Sequence, residues 1–268
     1  MKSKILISIL MLCSAISVAQ NVHKSNFYLG WGYNRDWFSE STIHLENSKP
    51  QLIDGKNYTY DFKVYNVKAH DRPQFNRIHD IANITIPQFS VRGGYYFNNK
   101  SDCGIELNYD HAKYVVTDNQ KVRASGQVNG LYFDQDTILD PINFLHFEHT
   151  DGANFFMIAF IKRFNLLNTK NDKNHLGICI KPGFGFVYPR TDVTIFGSRL
   201  NNKWKIAGID AGLEISLRAE LFRHLFFEFS GKAVYANYIN ALVQGKGFGK
   251  ASHHFYAFEN ILVCGYQF

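Results

Sequence analysis

Past residue 20 the chain has no run approaching the about 18 consecutive apolar residues that a membrane-crossing helix requires, so no transmembrane helix can be placed in it. Cysteines are few: Cys13, Cys103, Cys179 and Cys264 are far apart, with no CxxC and no histidine-paired spacing. That excludes a disulfide framework and a cysteine-ligated zinc site, and the expectation is of no metal and no cofactor. Basic runs are also missing. The net charge of +6 is dispersed and includes Lys2 and Lys4, so residues beyond the N-terminal segment carry +6 − 2 = +4 with no stripe to track phosphates. Nucleic acid is therefore excluded as an expected partner.

The first residues do carry a signal. Met-Lys-Ser-Lys is followed by the apolar stretch Ile5 to Leu12 and then Ser17-Val18-Ala19 before polar residues begin. A basic start, an apolar middle and a small-x-small end predict a secretory signal peptide over residues 1–19, with residues 20–268 as one domain. Cys13 raises a lipoprotein alternative, against which Leu12 is bulkier than the small residue such processing takes.

Hydrophobic residues make up 46% and aromatics 16% of the chain, yet mean hydropathy is only −0.22 because apolar and polar residues interleave. Interleaving suits a barrel with a greasy outside and a polar inside. Period-two alternation recurs in eight segments long enough for a tilted strand to cross a bilayer: residues 26–38, 84–97, 103–110, 154–164, 175–188, 209–220, 225–235 and 255–268. In 209–220, Ile209, Ala211, Leu213, Ile215, Leu217 and Ala219 alternate with Asp210, Gly212, Glu214, Ser216, Arg218 and Glu220. Segment 154–164 is apolar on both faces and leaves its register open, and Pro182 predicts a local break in the ladder.

Connections after the even-numbered segments are short or modest (98–101, 165–174, 222–224). Those after the odd-numbered ones are longer (39–83, 117–153, 189–203, 241–253). This division matches short periplasmic turns and long extracellular loops. The expected fold is all-β: a single eight-stranded antiparallel transmembrane β-barrel. Tyr58, Tyr60, Phe62 and Val64 alternate inside the first long loop, as do residues 127–133 and 144–149 in the second. These pieces are either loop hairpins or extra strands that would make the barrel ten-stranded.

The chain ends Tyr266-Gln267-Phe268, an aromatic residue closing an alternating segment. It resembles the C-terminal signal that outer-membrane barrels present to the insertion machinery. With the N-terminal segment and the eight alternating stretches, the sequence resembles small outer-membrane barrels of the OmpA, OmpX or OmpW kind, and its length and Ala-Gln region resemble Bacteroidota-type outer membrane proteins. The resemblance implies the bacterial outer membrane as location, outer-membrane lipid and lipopolysaccharide and the insertion machinery (through the Phe268 strand) as partners, and a monomer. It carries no catalytic motif, and the histidine-x-serine pattern that lipid A 3-O-deacylase barrels carry on a late strand is not found on the late segments here.

Two sets of residues could carry function. The inward face would gather Arg92, Glu106, Asp110, Lys181, Asp210, Glu214, Arg218, Glu220, Glu228, Lys232 and Glu259, either as a polar conduit or as a salt-bridged plug; an eight-stranded interior is just wide enough to be filled by side chains. The proposed loops hold His44, His70, His79, His146, His149, His253 and His254. A hydrolase or acyltransferase modifying lipid A at the extracellular rim would need a hydroxyl, a base and an orienting acid, for which Ser252 with His253 or His254 is the available set. The long Tyr-, Phe- and Asn-containing loops suit surface ligand binding instead. The expected function is a non-enzymatic outer-membrane protein, structural or ligand-binding, with lipid A modification and small-solute conduction as alternatives.

Overall fold

The computed structural model describes residues 26–53, 56–72, 88–97, 102–149, 151–169, 173–244 and 249–268; the N-terminal segment and His79 lie outside them. The strands in chain order are β1 (Phe27–Phe38), β2 (Ser41–Ile53), β3 (Lys56–Val67), β4 (Ala69–His70), β5 (Phe89–Tyr96) and β6 (Cys103–His111). There follow β7 (Tyr114–Val116), β8 (Lys121–Val128), β9 (Leu131–Ile138), β10 (Leu145–His149), β11 (Phe155–Asn168) and β12 (His175–Val187). The last are β13 (Thr191–Ile195), β14 (Ser198–Asn201), β15 (Gly208–Leu221), β16 (Leu225–Gln244) and β17 (Gly249–Gln267).

Eight of these close a ring in the order β1-β5-β6-β11-β12-β15-β16-β17, and β17 returns to β1 from Tyr28↔Gln267 to Phe38↔Ala257. Every neighbouring pair in the ring is antiparallel, so the wall presents no open edge. Pro182 has the expected local effect. The β11–β12 register runs Ala159↔Gly183 and resumes at Lys162↔Ile180, with the pairs between them missing, because proline has no N–H to donate.

The outside of the wall is apolar. Leu29, Leu107, Ile158, Phe184, Ile215, Leu217, Phe229 and Leu262 are exposed, an arrangement stable against lipid and costly against water. Aromatics border it. Phe27 stacks on Phe268 and His224 on Tyr266 at the end with short turns. At the long-loop end Tyr109, Phe156 and Phe186 stack in sequence across three strands, Tyr188 stacks on Trp204, Trp37 packs on Phe258, and Tyr235 meets Tyr256. Trp31, opposite Val91 and Cys264, falls between these two borders.

Residues 58–64 and 127–133 lie in loop hairpins, β2–β3 and β8–β9, whereas 144–149 falls on β10, which pairs with β7 and β13; the ring has eight strands. Beyond the outer aromatic border β17 continues and pairs with β2 from Lys250↔Glu46 to Ser252↔His44, extending the sheet through β3, β8 and β9. A second sheet, β14-β13-β10-β7-β4, stands opposite. Two-residue turns tighten both: Asn129-Gly130 joins β8 to β9 and Phe196-Gly197 joins β13 to β14, all four residues at positive φ, as turns matched to strand twist require. Phe62, Tyr114, Phe147, Phe155, Val193, Tyr238 and Phe255 form the apolar core between the sheets. Two sequence boundaries need correcting. The eighth wall strand begins at residue 249 rather than 255, and the seventh runs to residue 244, so Ser252, His253 and His254 belong to a strand and not to a loop.

Candidate functional site

Inside the ring, Arg92, Glu106, Asp110, Lys181, Asp210, Glu214, Arg218, Glu220, Glu228, Lys232 and Glu259 are all buried. Alternation alone puts them there, since each sits on the strand face opposite the lipid-facing residues. Lys181 is central: its Nζ donates to Glu106 and Glu214 at 3.2 Å each, and to Glu228. Arg92 donates to Asp110 at 2.6 Å and to Glu214 at 3.4 Å. Lys232 reaches Asp110 at 2.6 Å and Glu259 at 3.6 Å. Asp36 accepts from Gln88 at 2.9 Å, a contact the sequence reading did not single out. Asp210 stands apart, neither oxygen having a side-chain hydrogen-bond partner among the described residues.

Apolar layers close this charged layer on both sides. Toward the short turns Tyr28, Tyr96, Ile161, Cys179, Phe226, Ile261 and Val263 pack together, and the Arg218 guanidinium lies between the Tyr28 and Phe226 rings, 4.1 and 3.7 Å from their centroids. Close approach here depends on Gly94, where a Cβ would fall 2.1 Å from Tyr28 Cζ. Toward the long loops Met157, Val234, Ala236, Ala257, Phe155 and Phe255 take over the inward face. The interior is filled rather than open.

Among the described residues the histidines do not gather into one site. His253 points inward and His254 outward, as neighbours on a strand must. His253 Nε2 lies 3.1 Å from His149 Nε2, with Tyr114, Phe147, Tyr238 and Phe255 around the pair and no carboxylate bonded to either. Burial holds His149 well below the usual imidazole range, with His253 adding to it, and burial brings His253 down to about 3, assisted by His254. Ser252 faces away from His253 and lies opposite His44, whose Nε2 is 2.6 Å from Asp61. The Ser252 hydroxyl makes no hydrogen bond to His44, and the Asp61 carboxylate is largely exposed, so nothing there activates a nucleophile.

A third arrangement lies on the outer face of the second sheet. Register places His146 of β10 opposite Thr194 of β13, and Thr194 opposite Arg199 of β14. The adjacent row places Glu148 opposite Asp192. Asp192 is gripped by Arg199 through Nε at 2.9 Å and Nη2 at 2.5 Å, and Arg72 from the first long loop donates to Glu148 at 2.5 Å. His146 is 2.7 Å from Asp118 through Nδ1 and 3.6 Å from Glu148 through Nε2. The Glu148 contact pushes its pKa up to about 8 against the opposing effect of burial, with Asp118 assisting. Arg72, Asp118, His146, Glu148, Thr194 and Arg199 line, with Pro141, Ile142 and Gly197, a cleft of about 480 Å³. Arg72, Thr194 and Arg199 were not distinguishable in the sequence, because only strand register brings them beside His146.

No protein-family model and no curated protein matches the sequence. Among solved structures the chain is similar to Neisserial surface protein A at 10% identity, over 92% of this chain and 100% of that one, with a TM-score of 0.37. It is also similar to the outer membrane protein OprG from Pseudomonas aeruginosa (13% identity, 92% and 97% covered, TM-score 0.36). A third is Ail, the attachment invasion locus protein of Yersinia pestis (10% identity, 89% and 99% covered, TM-score 0.30). The closed ring of eight antiparallel strands, apolar outside and ion-paired inside, makes the chain in fold a small transmembrane β-barrel.

Proposed function

We propose that this protein is a non-enzymatic barrel of the bacterial outer membrane whose wall is a sealed anchor and whose two-sheet headpiece is a surface for recognising ligands outside the cell. The observation that carries this reading is the interior: a charged layer around Lys181 lies between two apolar layers. A filled ring cannot pass solutes without breaking buried ion pairs, so what distinguishes the molecule lies on its loops, where binding surfaces sit on a rigid scaffold. In this reading residues 1–19 are removed on export, and the strand ending in Phe268 addresses the insertion machinery. The wall then sits as a monomer among outer-membrane lipid and lipopolysaccharide.

The test is conductance in planar bilayers. The purified full chain, heat-modifiable on a gel and so folded, is expected to be electrically silent. Discrete ion steps that change when Glu214→Gln is introduced would overturn the reading in favour of a channel.

A further inference from the structure

The two cross-strand rows on the outer face of the second sheet are ordered by charge. One row, His146–Thr194–Arg199, consists of hydrogen-bond donors; the other, Glu148–Asp192, of acceptors. Neighbouring strands are about 4.8 Å apart, so the three side chains start from evenly spaced positions in a short line, with both His146 ring nitrogens turned to Asp118 and Glu148. The acceptors lie underneath. The Glu148 and Asp192 side chains are 4% and 2% exposed, whereas Arg72 and Arg199 above them are 47% and 68% exposed. The buried carboxylates thus hold the guanidinium groups in place while the cationic ends face outward. Arg199 spends Nε and Nη2 on Asp192, which leaves Nη1 for a ligand. Among the described residues the Thr194 hydroxyl has no hydrogen-bond partner. Beside the donors Ile142 forms an exposed apolar ledge next to Pro141.

We propose that this cleft is a binding site for an oxyanion group (carboxylate, sulfate or phosphate) on a carbon skeleton, received by Arg199, Thr194 and Arg72 beside the His146 ring, with the skeleton against Ile142. Guanidinium forks suit planar and tetrahedral oxyanions through paired N–H donors. The internal carboxylates balance the cations, so the cleft takes one anionic group at a defined place instead of attracting any polyanion by net charge. Three other arginines differ: Arg92 and Arg218 are buried within the ring, and Arg123 on β8 is committed to Asp134 through both Nε and Nη2 on the β8–β9 hairpin.

The test measures equilibrium binding of dextran sulfate, inorganic sulfate and uncharged dextran to the full chain folded in a zwitterionic detergent. Dextran sulfate is expected to bind saturably, inorganic sulfate to compete with it, and uncharged dextran not to bind. The double variant Arg199→Gln with Asp192→Asn removes the ion pair as a pair, so no lone buried carboxylate remains, and is expected to weaken binding at least tenfold. Arg199→Lys keeps the charge, loses the fork, and is expected to weaken it several-fold. Lys121→Gln, on the β8–β9 hairpin, is expected to leave binding unchanged. Native-like binding by both Arg199 variants, no binding by the unaltered chain, or equal binding of uncharged dextran would each overturn the site. A barrel that is silent in bilayers yet ignores dextran sulfate would leave the sealed-anchor reading standing and overturn only the oxyanion site that rests on it.

Discussion

The wall and the headpiece use the same period-two alternation with opposite polarity. In the wall, lipid-facing positions are apolar and the inside is charged; in the headpiece, the inside is apolar and the outside polar. Single strands cross the boundary. The inward face of β16 reads Glu228, Ser230, Lys232 and then Val234, Ala236, Tyr238, and that of β17 reads Glu259 and then Ala257, Phe255, His253. The switch follows the solvent. Where lipid covers the outside, the hydrophobic effect contributes nothing to filling the inside, and ion pairs can occupy it. Where water covers the outside, the inside must be an apolar core to hold together.

Two substitutions of similar size should separate the regions. Lys181→Met leaves Glu106, Glu214 and Glu228 without their shared ammonium, and removing one partner from a buried ion network costs about 3–5 kcal/mol. We expect the folded, heat-modifiable band to be lost at markedly lower urea. Phe62→Ala empties a core position packed on Phe133, Phe144 and Phe196, with a cost also of about 3–5 kcal/mol. There the expected result is protease sensitivity in the headpiece with the heat-modifiable wall unchanged. Loss of the wall with Phe62→Ala would show that the two regions are one cooperative unit.

A smaller effect should appear with pH. His149 and His253 are held below their ordinary pKa of 6.5 by burial, so the stability they contribute is full above 6.5 and declines as pH falls. His146, raised to about 8 chiefly by Glu148, contributes stability that is full below 6.5 and lost as pH rises through 8. The headpiece should therefore resist protease best between these limits. Each proton is worth at most about 1.4 kcal/mol per pH unit, and the acid side should fall more steeply because two imidazoles titrate there. Protection that is flat from pH 5 to pH 9 would contradict the buried pair.

The wall was legible in the sequence because one face had to suit lipid, and lipid tolerates little besides apolar side chains. β15 could be read residue by residue. β11 could not, and the reason is physical: its outward Phe156, Ile158 and Phe160 face lipid while its inward Phe155, Met157 and Ala159 border the headpiece core, so both faces are apolar. The full length of β17 was hidden because Ser252, His253 and His254 are polar and resemble a loop. Only register shows that His253 is interior while Ser252 and His254 are not. Among the loop histidines, the partners chosen in space are not those adjacent in sequence. Asp71, next to His70, pairs with Arg35, and Asp151, near His149, pairs with Arg190. The donor row is assembled from residues up to 53 positions apart, from His146 to Arg199, which no local pattern announces.

The central claim is that the ring is filled. Cys179 points into it, buried beside Tyr96 and Ile161, while Cys264 lies on the outer, lipid-facing wall. The most direct measurement is labelling of the folded chain in lipid vesicles with a water-soluble maleimide, read at each cysteine by peptide mass and repeated after unfolding in urea. A filled ring predicts no label at Cys179 until the chain unfolds. Rapid labelling of Cys179 in the folded, heat-modifiable barrel would mean that water reaches the interior and would contradict the sealed wall.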